Sequence, residues 1–146
     1  MPDRQAILRL ARDEDAPDLA RLNQNFNGSS DPAELIAARL ANPRRVETPI
    51  LAEVECRVVG FACLRLTPCV LYASPCAELT ELYVEPEYRR QGIGRLLVAR
   101  AERLAQEAGA DEMFLLAGLD NQEALAFYHA LGYEDDDLAL RKRFDR

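Results

Sequence analysis

Apolar and polar positions along the chain fall into two periods, one of strands and one of helices. Residues 6–11 read as a short strand, with Ile7, Leu8 and Leu10 as its apolar positions. After Asp13-Glu14-Asp15 the spacing lengthens to that of a helix running through about residue 25, with Leu19 and Leu22 on one face. Asn27-Gly28-Ser29-Ser30 interrupts it. Asp31-Pro32-Ala33-Glu34 then opens a second helix, with Asp31 as cap, Pro32 in the first turn and Glu34 three residues after the cap. That helix ends near Pro43.

Residues 50–54, 58–66 and 77–84 are strand-like, and Glu55-Cys56-Arg57 turns the first pair into a hairpin. A loop containing Pro68 and Pro75 precedes the third. A long helix follows from 92 to about 108, with Ile93, Leu96, Leu97, Ala101, Leu104 and Ala105 at helical spacing and Gly109 as its stop. Residues 113–117 form a short apolar strand, 121–131 a helix closed by Gly132, and 138–144 a final strand. Strands first, then alternating helix and strand, predict a mixed sheet with helices on its faces.

A chain of 146 residues, 49% hydrophobic, is expected to be one domain spanning 1–146. No apolar run reaches membrane-spanning length, and Met1-Pro2-Asp3-Arg4 does not open a signal peptide, so the expected location is cytoplasmic. The formal net charge of -7 disfavours nucleic acid and favours cationic ligands, although solubility accounts for it equally well. Cys56, Cys63, Cys69 and Cys76 form no Cys-x-x-Cys pair and His129 is the only histidine. The expectation is reduced thiols and no metal site.

The most specific segment is Arg89-Arg90-Gln91-Gly92-Ile93-Gly94, between a strand and a helix. Glycines there let the backbone approach a ligand, and the helix start offers unpaired N–H groups to an anion. A Walker loop needs Gly-Lys-Ser/Thr, but Arg95 and Leu96 follow Gly94; a dinucleotide fingerprint needs a third glycine where Leu97 stands. The remaining pattern, Arg-x-x-Gly-x-Gly after Leu79-Thr80-Glu81-Leu82-Tyr83-Val84-Glu85-Pro86-Glu87-Tyr88, resembles the acyl-CoA-binding motif of the GCN5-related N-acetyltransferases, the GNAT superfamily. A second block, Asn121-x-x-Ala124-x-x-Phe127-Tyr128-x-x-x-Gly132-Tyr133, is similar to the family's cofactor-arm helix.

The resemblance implies a GNAT-like α/β fold: a central mixed, largely antiparallel sheet of about six to seven strands, flanked by about four helices. It implies acetyl-CoA as donor, held by Leu82, Tyr83, Val84, Arg89, Arg90, Gln91, Gly92, Ile93, Gly94, Arg95, Asn121, Ala124, Phe127 and Tyr128. It further implies direct N-acetylation of a small-molecule or peptide amine in a ternary complex, and a homodimer by analogy with relatives.

Acyl transfer to an amine must remove a proton from the amine, stabilise charge on the carbonyl oxygen and protonate the leaving thiolate. Glu81 is the candidate base, with Glu78 as backup; a paired or solvated strand carboxylate is the equal alternative for Glu81. In a regular strand the two point to opposite faces, a parity that a bulge would disturb. The resemblance points to main-chain groups near Val84 as the candidate oxyanion site. Tyr128 is the candidate acid toward sulfur. Asn121 serves either as a helix cap alone or as cap and cofactor contact. Phe26, Asn27 and Glu81 are candidates for contact with the acceptor, whose specificity is expected from the loop 26–30 and the segment 67–75. Cys63 has no evident base partner, which argues against an acyl-cysteine route. The charge balance favours a small cationic amine; a protein lysine or N-terminus and a non-catalytic acyl-CoA sensor are the alternatives.

Overall fold

The computed structural model describes residues 5–145; Met1-Pro2-Asp3-Arg4, the residues behind the signal-peptide reading, lie outside them. The chain divides into two compact units, Met1–Phe114 and Leu115–Arg146. The first begins with β1 (Ile7–Leu10), a turn of 3-10 helix at Asp13–Asp15, α1 (Ala16–Asn27) and α2 (Ala33–Ala41). It continues with β2 (Glu47–Val54), β3 (Arg57–Thr67), β4 (Cys76–Val84), a 3-10 turn at Pro86–Tyr88 and α3 (Ile93–Glu107). β5 (Phe114–Leu115) stands at the boundary of the units, and α4 (Gln122–Ala130) lies in the second.

The sheet order is β1-β2-β3-β4-β5, and the pairings of β1 with β2, β2 with β3 and β3 with β4 are antiparallel. The β2–β3 hairpin closes on Glu55 and Cys56, both left-handed at φ 51° and 66°. Two positive φ values in succession match the turn to the right-handed twist of the flanking strands. On one sheet face Leu19 and Leu22 of α1 pack with Leu51, Val58, Phe61, Cys63 and Tyr83, and Ile36 and Leu40 of α2 close the margin. On the other face α3 buries Ile93, Leu97, Val98, Ala101 and Ala105 over β2, β3 and β4.

The mixed α/β architecture with four helices is the expected one; the strand count is not. Five strands occur among the described residues, and none covers 138–144. Leu138, Leu140 and Phe144 share one parity of an extended chain yet are 72%, 87% and 82% exposed, because parity sets which way side chains face and supplies no ladder partner. The strand expected over 113–117 is laddered only at Phe114–Leu115. Asp31 does not cap α2: Pro32 holds the cap position, and the Asp31 carboxylate pairs instead with Arg39 at 2.7 Å. Leu96 of the long helix faces solvent, and the buried stripe passes through Val98 in its place.

Candidate functional site

The middle of β4 is shaped by a bulge. Leu79 pairs with Leu64 and Glu81 with Cys63, so Thr80 has no partner across the ladder. An extra residue reverses side-chain parity. Glu78, Glu81 and Tyr83 therefore follow Arg65, Cys63 and Phe61 on the face that carries α1 and α2, and the two carboxylates that a regular strand would separate are brought together.

Their surroundings differ. Arg65 donates to Glu78 at 3.0 Å and to Glu47 at 3.3 Å, which commits Glu78 to an ion pair. Glu81 lies half-buried against a cleft of about 450 Å³ lined with Asn23, Asn27, Ser29, Ser30, Asp31 and Arg39. Burial raises its carboxyl above the ordinary range, the charge of Glu47 adds to the rise, and a hydrogen bond from Asn27 opposes it. Burial also pushes the neighbouring Cys63 thiol well up, with Glu47 and Glu81 adding to the effect, so this sulfur is held as a thiol.

Phe26, 40% exposed at the end of α1, stacks on Tyr83 with ring centroids 5.1 Å apart, and Tyr83 leans on Phe61 at 6.4 Å. Gly28 ends α1 in the left-handed conformation, its N–H on the Gln24 carbonyl at 2.9 Å, and starts the loop that forms one wall of the cleft. Asn23, Asp31, Ile36 and Arg39 also line the cleft and were not legible as site residues. The repeat of Asn23 and Asn27 one turn apart on α1 is the signal that could have found the first of them. The segment 67–75 is not among the lining residues, although it was an expected source of specificity.

At its C-terminal end, after Val84, β4 passes into the glycine-bearing loop. Glu85 N–H donates to the Val59 carbonyl at 2.8 Å, and Tyr88 N–H to the Glu85 carbonyl at 2.9 Å. Arg89 turns back: its Nε donates to the Val84 carbonyl at 2.8 Å and its guanidinium lies 5.5 Å from the Tyr83 ring centre. Arg90 and Gly92 are both left-handed, at φ 61° and 80°. Gly92 begins α3, whose first turn leaves N–H groups beyond the reach of intrahelical carbonyls. Gln91, Arg90 and Arg95 are exposed there, Gly94 and Leu82 are half-buried, and the Ile93 side chain is buried in the core, so only its main chain faces the loop.

In the second unit, Asn121 caps α4, its Oδ1 accepting from the Ala124 N–H at 3.1 Å. Tyr128 is half-buried, with Phe127 and Tyr133 edge-on at 5.1 Å and 5.7 Å between ring centres. Burial pushes its hydroxyl up to about 12, so it stays protonated through neutral pH. His129 turns outward and meets Asp135 at 2.7 Å. Among the described residues no group of three or more His, Cys, Asp or Glu is placed to hold a metal ion, and no helix is long and apolar enough to cross a membrane.

The family model described as the Acetyltransferase (GNAT) family matches residues 9–133. An aminoglycoside N(6')-acetyltransferase type 1 of Klebsiella aerogenes is 32% identical over 111 residues, 73% of this chain and 70% of that protein. An uncharacterized N-acetyltransferase of Methanocaldococcus jannaschii is 36% identical over 62 residues; this chain covers 27% of its length, the match taking 42% of this chain. Among solved structures, an aminoglycoside N-acetyltransferase in complex with CoA superposes with a TM-score of 0.81 at 20% identity, covering 96% of this chain and 95% of that one.

Proposed function

The chain belongs to the acetyltransferase (GNAT) family, and on that footing we propose that it moves an acetyl group from acetyl-CoA to a primary amine of a small cationic molecule. The observation that carries the acceptor side is the placement of Glu81, a cleft-lining carboxylate whose proton affinity burial raises. A carboxylate so raised meets the requirement of a general base, which works best when its proton affinity approaches the operating pH. Glu81 takes a proton from the bound ammonium, directly or through one water. The free amine attacks the thioester carbonyl carbon, and main-chain donors at the end of β4 stabilise the oxygen that gains charge. The carbon–sulfur bond then breaks and the Tyr128 hydroxyl protonates the thiolate; the nitrogen's surplus proton restores the tyrosine, and Glu81 gives the proton it took to solvent.

On the donor side, Gly92 to Arg95 supply the phosphate cradle, with Arg90 and Arg95 exposed beside it. Arg89 is proposed to reach phosphate with its outer nitrogens while Nε stays on Val84. Asn121, Ala124 and Phe127 form the helical wall assigned to the cofactor arm. The chain's similarity to an aminoglycoside acetyltransferase supports a small cationic acceptor over a protein lysine. The test is CoA release from acetyl-CoA across a panel of aminoglycosides, polyamines, amino acids and lysine peptides. Release confined to small amines is the expected result, and none with any amine would overturn the reading.

A further inference from the structure

Glu85 has a nearly inaccessible side chain, 5% exposed, and yet it is not part of the chemistry proposed above. Its Oε1 accepts from Arg21 Nη1 of α1, and Arg57 Nη2 reaches its two oxygens at 3.2 Å and 3.1 Å. Arg21 also donates to the Val58 carbonyl at 2.8 Å and to Asp18 at 3.3 Å. A buried carboxylate answered by a guanidinium of α1 holds that helix to one geometry, because losing this partner, the less exposed of the two arginines, leaves a charge that is costly to bury.

Three contacts join α1 to β4, and they run in opposite directions along the two elements. Arg21 meets Glu85, Phe26 meets Tyr83, and Asn27 meets Glu81. The first is a buried ion pair; the second is a stack on an aromatic ring; the third sets an α1 amide beside the proposed base, both lining the same cleft. Neither a stack nor a single exposed amide fixes sliding of a helix along a strand. A guanidinium divided between a buried carboxylate of the β4 end and the Val58 carbonyl does.

We infer that Glu85 is a positioning residue: through Arg21 it sets the register of α1 against β4, so that Asn27 and the acceptor cleft are aligned on Glu81. This inference rests on the proposed role of Glu81, but its primary test does not require turnover. In NMR spectra of the full chain, Glu85→Gln and Arg21→Gln should retain a folded amide pattern. Both should lose at least half the intensity of the Phe26–Tyr83 ring cross-peaks, and the Glu81 side-chain titration should fall toward the ordinary carboxylate range. Arg57→Gln touches only the strand side of Glu85 and should leave both readings as they are. With a responsive amine, the first two variants should lose about 10²-fold in kcat, the scale of a displacement near 1 Å, with acetyl-CoA Kd unchanged. A folded Arg21→Gln with wild-type ring cross-peaks and an unmoved Glu81 titration would overturn the inference, and that variant decides if Glu85→Gln does not fold. Failure of the wild type to acetylate any amine would refute the proposed function and leave the spectroscopic test standing.

Discussion

Glu78 and Glu81 share one face of β4 although they stand three positions apart, because Thr80 has no partner across the ladder. Arg65 then divides their roles by pairing with Glu78 and leaving Glu81 to the cleft. Glu81→Gln is expected to lower kcat/KM by about 10²–10⁴-fold, the usual contribution of a general base, while Glu78→Gln costs less than about 10-fold. Initial-rate measurement of CoA release with one responsive amine checks the pair. A larger loss for Glu78→Gln would transfer the role of base to that residue.

The acid limb of the pH profile should belong to Glu81. Because its folded carboxyl is raised, kcat/KM falls at a pH above the ordinary glutamate range as acid protonates the base. For stability the sign is opposite. A raised carboxyl binds its proton more tightly in the folded chain, so its contribution is full below the unfolded value and is lost as pH rises through the folded one. Thermal unfolding of wild type and Glu81→Gln should therefore converge in acid and separate in the variant's favour toward neutral pH. Parallel curves would contradict the raised carboxyl.

Tyr128→Phe should reduce turnover by about 10²–10⁴-fold, the loss expected for a general acid, with acetyl-CoA Kd nearly unchanged. A hydroxyl pushed up to about 12 adds no basic limb to the wild-type rate profile near pH 8–9. Equilibrium binding and a rate profile separate this from a packing role, since loss of packing against Phe127 and Tyr133 would lower stability with turnover intact.

Much of the fold was legible because period and punctuation agreed. Leu19 and Leu22 recur at helical spacing and both are buried; Asn121 precedes α4 and caps it. The Thr80 bulge had no local mark, since a β-branched residue suits either a regular or a bulged ladder, and only pairing with β3 reveals which. Leu138, Leu140 and Phe144 share one parity over 138–144, but a partner strand is not a property of the segment itself. Asp31 offered a cap on paper and found Arg39 eight residues on. Arg21 and Glu85 lie 64 positions apart, and no spacing rule connects them.

The two cradle glycines should respond in opposite ways. Gly94 lies inside α3, where alanine favours the helix by about 0.8–1.0 kcal/mol, so Gly94→Ala should raise Tm while its methyl weakens acetyl-CoA binding. Gly92 is left-handed with open space around it, so Gly92→Ala should lower stability by about 1–3 kcal/mol through backbone strain alone. Thermal melts with and without acetyl-CoA distinguish the two. Unchanged affinity in Gly94→Ala would remove that residue from the cradle.

Gly60 permits the closest approach of β3 to the end of β4. A Cβ there would stand 2.8 Å from the Tyr83 carbonyl oxygen, a backbone atom that cannot swing aside. Gly60→Ala should cost about 1–3 kcal/mol, the scale of overpacking, read from denaturant midpoints. A neutral effect would mean that the two strands part without penalty.

The acidic face formed by Glu47, Glu78 and Glu81 acts unequally on the two ends of the proposed reaction. An arriving amine is a cation and is drawn to that face; the amide it becomes carries no charge and is not held. Acetylation thus erases the feature by which the acceptor was attracted, and turnover includes its own release. A molecule with several amines, acetylated once, returns with weaker attraction for each group already modified, which favours a single transfer per visit.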